Sequence, residues 1–372
     1  MYINNNKMAN RILLFVVVIL CNASISFGGS NTRRGTAGAQ ELLIPVGSRN
    51  IAMSGSFVAG INGIEAAAWN PAGVSGMEGN VDVIFSQTSW LAGIGVNYAA
   101  FASNFGGKSY YGMTLRSLDF GKIPVTTTSE PDGTGDTFSP NFVTIGFLFS
   151  RKMTDRIFFG ADFKIVNESI MRESASGFVL DAGVQYIIKE NGLRLGVSLK
   201  NLGLNMIFDG PDLEEFHSPD DSEPGTPTEP RRVHLQEFEM PTTLEMGVSY
   251  GPLNLGVGQI SLAASFLNNN FSFDEYRFGA EFLFAEMLSL RGGLSMGYDP
   301  EPYGIDGIEN TSDDAQDAEG FESNSEEFIW GPTFGVGLDL SKLTGLGVTV
   351  DYAYRTAKFF DGVSWLTLTV AF

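Results

Sequence analysis

Alternating hydrophobicity with a period of two residues restricts the fold of this chain more than any other feature. Residues 366–372 place leucine, valine and phenylalanine on one parity and threonine and alanine on the other. The same period recurs in residues 346–355, 276–284 and 193–200. Because successive side chains of a strand point to opposite faces of a sheet, this pattern predicts amphipathic β-strands. We count about fourteen such segments, most of them near the ~10 residues that a tilted strand needs to cross a bilayer.

The polar parity of these segments distinguishes a membrane barrel from a soluble β-sandwich, which alternates in the same way. The polar face of a sandwich meets water and is rich in lysine, glutamate and threonine. Here that face is rich in glycine and serine, and its acids and bases nearly balance, as suits a confined lumen in which charges pair. A slip of one residue would turn each base toward lipid at roughly 2–4 kcal/mol. The charges predicted to line the lumen are Arg116, Asp162, Lys164, Arg194, Glu245, Arg277, Glu281, Arg291, Asp339, Asp351 and Arg355.

The lengths of the connections between segments support a barrel that begins near residue 80. Every second connection is short, as periplasmic turns should be. These short connections are residues 104–107, 154–156, 189–192, 251–254, 285–286 and 341–345. The intervening connections hold the proline, glycine and acidic runs, and two of them are expected as acidic external loops near 202–240 and 299–327. The predicted fold is therefore all-β, an antiparallel transmembrane β-barrel over residues 80–372.

Aromatic residues near the ends of segments are expected in the two interface girdles of such a barrel. They are Trp90, Tyr98, Tyr111, Tyr250, Tyr298, Trp330 and Tyr354. Residues 202–208 and 271–273 are candidates for an apolar groove among the outer loops. The same residues also suit the upper girdle.

The net charge of −20 is concentrated in two stretches of the sequence. Residues 299–327 contain many acids and no base, and residues 209–239 have a further acidic excess. The rest of the chain is close to neutral. This distribution gives no support for a nucleic-acid partner.

Residues 1–28 have the composition of an export signal peptide. Lys7 and Arg11 precede the apolar run of residues 12–20, and small residues follow near a cleavage site. The run is about half of the ~20 residues that a spanning helix needs, which predicts removal on export to the outer membrane. Cys21 is the only cysteine, and Leu20 before it does not fit a lipoprotein signal, so the mature chain is expected to lack disulfides.

Residues 29–79 precede the first alternating segment and are predicted to plug the barrel. A barrel of this size is wider than one filled by its own side chains. The small residues of 47–77 allow close packing, and this stretch is the available material. Asn70-Pro71-Ala72-Gly73 by itself is consistent with a plain turn.

Three stretches of this region resemble a known family. Residues 38–49, 53–59 and 67–73 are similar to the N-terminal signature of PorV/PorQ-type proteins, within the FadL-like superfamily of outer-membrane barrels. The resemblance implies that the segment forms a hatch inside the lumen, with Asn70, Pro71, Ala72 and Gly73 as the hatch motif. Departures from the usual pattern at Ser48, Ser54 and Asn62-Gly63 concern the packing of the hatch.

The resemblance implies two alternative functions. FadL-like members pass hydrophobic small molecules such as long-chain fatty acids across the outer membrane. PorV-like members are components of the type IX secretion system that receive secreted cargo proteins. The expected partners are outer-membrane lipid, hydrophobic small molecules or secreted proteins, and the barrel assembly machinery, for which Phe372 at the end of an amphipathic strand is the predicted signal.

An enzymatic function is not predicted. The two histidines, His217 and His234, both fall in the acidic stretch, and no nucleophile-elbow, zinc-protease or P-loop pattern occurs. No cofactor and no metal are expected. The carboxylates of residues 299–327 lack the regular spacing of a calcium loop.

Overall fold

The computed structural model describes Arg33 and residues 35–188, 192–217, 228–298 and 328–372. The predicted signal peptide, residues 1–28, and the predicted acidic loop at 299–327 lie outside the described residues. No helix in the described ranges is long and apolar enough to cross a membrane.

Fourteen antiparallel strands close into a single barrel, in which β1 pairs with both β2 and β18. The prediction of an all-β antiparallel barrel with about fourteen strands is confirmed. The remaining strands form two small hairpins, β4 with β5 and β10 with β11, in the longer connections. In chain order the strands are β1 (Val81–Ser89), β2 (Gly95–Asn104), β3 (Ser109–Asp119), β4 (Ile123–Pro124), β5 (Thr137–Phe138), β6 (Asn141–Lys152), β7 (Ile157–Ile170), β8 (Glu173–Ile187), β9 (Arg194–Gly203), β10 (Glu214–His217), β11 (Glu229–Arg232), β12 (Thr243–Asn254), β13 (Gly258–Asn269), β14 (Asp274–Phe284), β15 (Leu288–Tyr298), β16 (Trp330–Asp339), β17 (Gly347–Ala357) and β18 (Val363–Ala371).

Helical structure in the described residues is short and lies mainly before the barrel. The pieces are the helices Ser48–Ile51 and Ser341–Thr344 and the 3₁₀ turns Gln40–Leu43, Ile64–Ala68, Pro71–Gly76, Leu91–Gly93 and Pro211–Leu213. Such short pieces suit a segment that must follow the inner surface of a barrel, where small residues allow frequent changes of direction.

Alternation along each strand divides the barrel into an apolar outer face and a polar inner face. On β17, for example, Tyr352 and Tyr354 are exposed on the outside, whereas Asp351, Ala353 and Arg355 are buried inside. The outer face is therefore suited to contact lipid. The inner face can keep charged groups only where they find partners.

Connections at one end of the barrel are short, and most of the longer ones lie at the other. We call these the short-turn end and the long-loop end. One predicted short connection, residues 251–254, is wrong in position because β12 continues to Asn254 and the turn lies at 255–257. The register shifts between Tyr250 and Leu253, so the Gly-Pro pair that resembles a turn is accommodated as an irregularity within the strand.

Residues 35–80, here called the N-terminal segment, run through the barrel from end to end. At the long-loop end the Gly35 amide donates to the Phe271 carbonyl at 3.3 Å, and the Gly38 amide donates to the Glu239 carbonyl at 3.0 Å. At the short-turn end the Asn80 amide donates to the Phe372 carbonyl at 2.8 Å. The chain thus enters the lumen at the long-loop end and leaves it where β1 begins.

Glycines on the inner face let the N-terminal segment approach the barrel wall closely. A Cβ on Gly160 of β7 would lie 2.2 Å from the Pro71 carbonyl carbon, and one on Gly293 of β15 would lie 2.4 Å from that of Met53. Larger residues at these positions would exclude the segment backbone. That this segment works as a hatch, and the boundaries at 28 and 79, stay predictions.

Gly160→Val tests this close contact. The added side chain would overlap the Pro71 backbone, so we expect residues 71–76 to leave the wall while the barrel stays closed, because overpacking that meets backbone cannot be relieved by a rotamer change. In a Cys21→Ser, Ser75→Cys background, a maleimide should label the introduced thiol, which takes the place of a fully buried serine.

Gly292→Val on β15 is the matched control, because a Cβ there meets nothing closer than the Thr333 carbonyl oxygen at 3.8 Å. The thiol at position 75 should stay unlabelled in this variant. Heat-dependent mobility on gels reports barrel folding in both. A folded Gly160→Val barrel with an unlabelled thiol would contradict the described packing.

Candidate functional site

A cavity of about 570 Å³ lies in the lumen between the N-terminal segment and the long-loop end. Residues 39–46 and Trp69 form its wall on the side of the segment, and side chains from the long-loop halves of the strands form the rest. Pockets for small molecules in proteins commonly have volumes of about 300–1,000 Å³. The cavity is therefore large enough for an organic small molecule.

Aromatic rings form much of the apolar wall of this cavity. The rings of Trp90 and Trp330 lie 5.2 Å apart, and those of Phe120 and Phe142 lie 4.9 Å apart. Trp69 contributes a further indole from the N-terminal segment. Large aromatic faces offer an apolar ligand much contact area with little loss of side-chain freedom.

Backbone carbonyls of the N-terminal segment hold two indole groups in place. The Trp69 Nε1–H donates to the Val46 carbonyl at 2.9 Å, and the Trp365 Nε1–H donates to the Pro45 carbonyl at 3.0 Å. Trp365 in turn contacts Trp90 with ring centroids 6.1 Å apart. All four tryptophans of the chain are therefore at or next to the cavity.

The placement of Trp90, Tyr98 and Trp330 in an interface girdle is wrong. Trp90 and Trp330 line the cavity, and Tyr98 is buried inside the barrel with only 4% of its surface exposed. Tyr98 shares the inward parity of β2 with Val96 and Ala100. That parity was the signal in the sequence that could have placed Tyr98 inside.

Three predicted lumen residues form a row of alternating charges together with two further charged residues. The predicted ones are Glu245, Arg277 and Arg355, and the further ones are Lys200 and Glu275. Lys200 pairs with Glu245 at 3.8 Å, and Glu245 pairs with Arg277 at 3.5 Å. Arg277 pairs with Glu275 at 2.9 Å, and Arg355 approaches the same carboxylate at 3.9 Å. Neighbouring opposite charges offset the cost of removing these groups from water.

A second group of charges lies on β7 and β8. Lys164 forms an ion pair with Asp181, whose other oxygen accepts from the Asn201 amide at 2.8 Å. Asp162 accepts a hydrogen bond from the Thr114 hydroxyl at 3.1 Å. Both oxygens of Asp181 thus have partners in the wall, whereas the buried Oδ1 of Asp162 accepts no hydrogen bond from the described residues.

A third network ties the N-terminal segment to the wall below the cavity. Arg49 donates to both oxygens of Glu281, at 2.9 Å and 2.8 Å. Arg291 donates to Glu281 at 2.6 Å and also pairs with Asp351. Because Glu281 and Arg291 are buried, this network fixes the helix Ser48–Ile51 against β14, β15 and β17.

Three predicted lumen charges lie outside these networks. Asp339 accepts from the Ser341 amide at 2.8 Å, next to the short helix Ser341–Thr344 at the short-turn end. Arg194 is half-buried and makes no ion pair within the described part of the chain. Arg116 donates to the Glu41 carbonyl at 2.6 Å and faces the cavity.

The motif Asn70-Pro71-Ala72-Gly73 lies against several strands: Asn70 reaches the β8–β9 pair, and Pro71 packs on Gly160 of β7. The Asn70 side-chain amide donates to the Val58 carbonyl at 3.1 Å and approaches the Val184 carbonyl at 3.3 Å, while its oxygen accepts from the Ala72 amide at 3.2 Å. Asn70 thus begins the 3₁₀ turn that Pro71 continues. A Cβ on Gly73 would lie 2.2 Å from the Ile61 carbonyl oxygen, so glycine is required there.

Two carboxyl groups that the sequence did not single out lie side by side in the cavity wall. Glu41 of the N-terminal segment and Glu168 of β7 both line the cavity, and one buried oxygen of each accepts no hydrogen bond from the described residues. Burial raises the pKa of Glu41. Only the folded chain brings these two residues together.

Two of the candidate groove residues, Met206 and Phe271, pack over the start of the chain that enters the lumen, whereas Leu204 is exposed. Met206 is buried in a cluster with Ala39 and Leu42, and Phe271 lies 4.6 Å below the Arg33 guanidinium. Among the described residues, no group of three or more histidine, cysteine, aspartate or glutamate side chains could hold a metal ion.

Glu281→Gln and Arg49→Met together test the third network. Removing Glu281 leaves Arg49 and Arg291 facing each other without their shared carboxylate, so we expect a loss of about 3–5 kcal/mol in the free energy of unfolding. Arg49→Met should lower the free energy of unfolding by a smaller amount, because Glu281 keeps its ion pair with Arg291. Urea unfolding followed by tryptophan fluorescence measures both, and Lys342→Met, which breaks an exposed pair with Glu286, should cost less than about 1 kcal/mol. Equal losses for all three variants would contradict this network.

No protein-family model and no curated protein sequence matches this chain. Solved structures match its fold. The CymD monoaromatic hydrocarbon channel matches with a TM-score of 0.53 at 12% sequence identity, over 89% of this chain and 98% of that chain. A FadL homologue from Pseudomonas aeruginosa matches with a TM-score of 0.50 at 11% identity, over 88% of this chain and 99% of that chain. These likenesses concern the fold alone, and the chain has the fold of the FadL-like barrels of bacterial outer membranes.

Proposed function

We propose that this protein is a FadL-like outer-membrane barrel of the PorV/PorQ type that binds hydrophobic small molecules, such as long-chain fatty acids, and passes them across the outer membrane. The observation that carries the proposal is the aromatic-walled cavity above the N-terminal segment. CymD, which shares the fold, is a monoaromatic hydrocarbon channel, and this adds support.

The walls of the cavity favour an apolar ligand over a purely polar one. An apolar ligand that covers its aromatic rings excludes water from them. This stabilises the complex by about 25 cal/mol for each Å² of apolar surface removed from solvent. Most of its charges are already paired with one another, so they offer few free partners to a sugar or an ion. The ligand would gain most of its affinity from the apolar wall and its orientation from the few free polar groups.

Passage beyond the cavity requires the N-terminal segment to move. The segment fills the lumen below the cavity, and Val58, Ile61 and Ile64 are fully buried there. In this proposal the segment is the hatch, and the Asn70 amide and the Arg49–Glu281 pair hold it closed. The signal peptide at 1–28 would be removed on export.

The alternative proposal is a PorV-like role as a type IX secretion component that receives cargo proteins. The feature that favours it is exposed apolar surface on the connection between β9 and β12. Leu204 is 75% exposed and Phe216 is 71% exposed. Both lie in a connection at the long-loop end and not in the barrel strands, so contact with lipid does not explain their exposure. Such side chains could contact a protein.

Ala68→Phe tests the cavity as the binding site. Ala68 lines the cavity, so a phenyl group there should fill part of it and weaken binding of a brominated long-chain fatty acid by about tenfold or more, which corresponds to about 1.4 kcal/mol. Binding is measured in nanodiscs as saturable quenching of tryptophan fluorescence, since all four tryptophans are close to the cavity. Ala99→Phe makes the same change on the outer face of β2 and should leave binding unchanged. Equal quenching curves for both variants and the parent would contradict the proposed site.

Purification of the tagged protein from its own outer membrane distinguishes the two proposals. We expect apolar small molecules to copurify without a stoichiometric protein partner, and mass spectrometry of lipid extracts and of the protein fraction measures both. Near-stoichiometric secreted proteins or a large translocon subunit would instead establish the PorV-like role.

A further inference from the structure

We infer that Arg116 binds the anionic headgroup of an amphipathic ligand, whose apolar tail points toward the long-loop end of the barrel. This inference rests on the proposed function, because it assigns a ligand class and an orientation to the same cavity. It would make the protein selective for carboxylates over neutral molecules of equal length.

Arg116 differs from the other cations that line the cavity. Lys164, Lys200, Arg277 and Arg355 each have a carboxylate partner. Arg116 has no ion pair with any carboxylate in the described ranges, and its described hydrogen bond joins Nη1 to the Glu41 main-chain carbonyl at 2.6 Å. Its remaining donors are free for a ligand, and a guanidinium presents them in a planar fork that matches a carboxylate.

The Glu41 contact also orients this fork. A neutral carbonyl on one terminal nitrogen fixes the position of the guanidinium without cancelling its charge. The helical turn Gln40–Leu43 that supplies the carbonyl is itself part of the cavity wall. Arg116 is therefore held in place before a ligand binds, which lowers the entropy lost on binding.

The acids near Arg116 are engaged elsewhere. Asp181 is paired with Lys164, and Asp162 accepts from Thr114. Burial raises the pKa of Glu41, which reduces the negative charge that this carboxyl presents. These contacts leave Arg116 able to attract an anion despite its acidic surroundings.

An apolar strip begins directly beyond Arg116 on the inner face of β3. Leu118, two residues on and roughly 7 Å along the strand, lines the cavity, and Phe120 follows at the end of the strand. Phe142 packs against Phe120, and Trp90 with Trp330 continues the apolar surface at the long-loop end. A headgroup at Arg116 thus places a tail along these rings.

Arg116→Gln tests the headgroup contact, with Arg151→Gln on the exposed rim of β6 as the matched control. Binding of dodecanoate and of dodecanol, which have the same chain length, is measured in nanodiscs by competition with a brominated fatty acid for tryptophan quenching. We expect Arg116→Gln to weaken the binding of dodecanoate by about tenfold or more and the binding of dodecanol by less than about twofold. The reason is that only the carboxylate loses a charge-assisted hydrogen bond. Arg116→Lys should retain part of the preference for dodecanoate.

The outcomes separate this inference from the proposed function. If neither dodecanoate nor dodecanol binds the parent protein, the proposed function fails. If both bind and Arg116→Gln changes neither, or weakens both equally, the cavity binds apolar molecules and the inference about Arg116 is wrong. Heat-dependent gel mobility shows that each variant is folded.

A second measurement tests the orientation of the ligand. In a Trp69→Phe background, the remaining tryptophans lie at the long-loop end. A fatty acid brominated near its terminal carbon should quench them at least about twofold more strongly, at saturation, than one brominated next to the carboxylate. The reverse order would overturn the proposed orientation.

Discussion

The hydrocarbon core of a membrane offers no hydrogen-bond partners, and this constraint determines most of the structure. Each backbone amide and carbonyl of a spanning strand must be paired within the protein, which a sheet achieves only when its edges meet. Here β1 pairs with β18, so the barrel has no open edge. Closure then divides every strand into a face for lipid and a face for the lumen, so charged residues can lie only inside.

The lumen creates a second problem, because buried charges need partners and a wide barrel needs filling. The N-terminal segment meets both needs. Its small residues approach inward-facing glycines of the wall, Arg49 completes the network around Glu281, and Asn70 joins the segment to the wall beside β8 and β9. The segment fills the lumen toward the short-turn end and leaves a cavity toward the long-loop end. The cavity is thus bounded by the same segment that fills the rest of the lumen.

The strands were predictable because their signal is local. A period of two residues, repeated about fourteen times, requires no knowledge of which strands are neighbours. The turn predicted at 251–254 was misplaced because a Gly-Pro pair occurs both in turns and in strand irregularities. Only the strand pairing beyond Tyr250 shows which of the two is present here. Position along the strand was likewise insufficient to predict which way Trp90 and Trp330 face. Both are near strand ends, but their side chains line the cavity inside the barrel.

The site itself was less predictable, because it depends on residues far apart in sequence. Nothing local to Glu41 indicates that it meets Glu168 or that its carbonyl accepts from Arg116. The direction in which residues 35–80 cross the lumen is also set by contacts with Phe271, Glu239 and Phe372, which are distant from this segment in sequence. Composition indicated that this segment can pack closely, but the fold decides where.

We propose that the lumen cavity above the N-terminal segment binds hydrophobic molecules. The most direct measurement is a crystal structure of the protein with a brominated long-chain fatty acid, collected at the bromine absorption edge. We predict anomalous bromine density inside the barrel, bounded by Trp90, Trp330 and Leu118. Bromine density confined to the outer face of the barrel, with an empty cavity at saturating ligand, would contradict the claim.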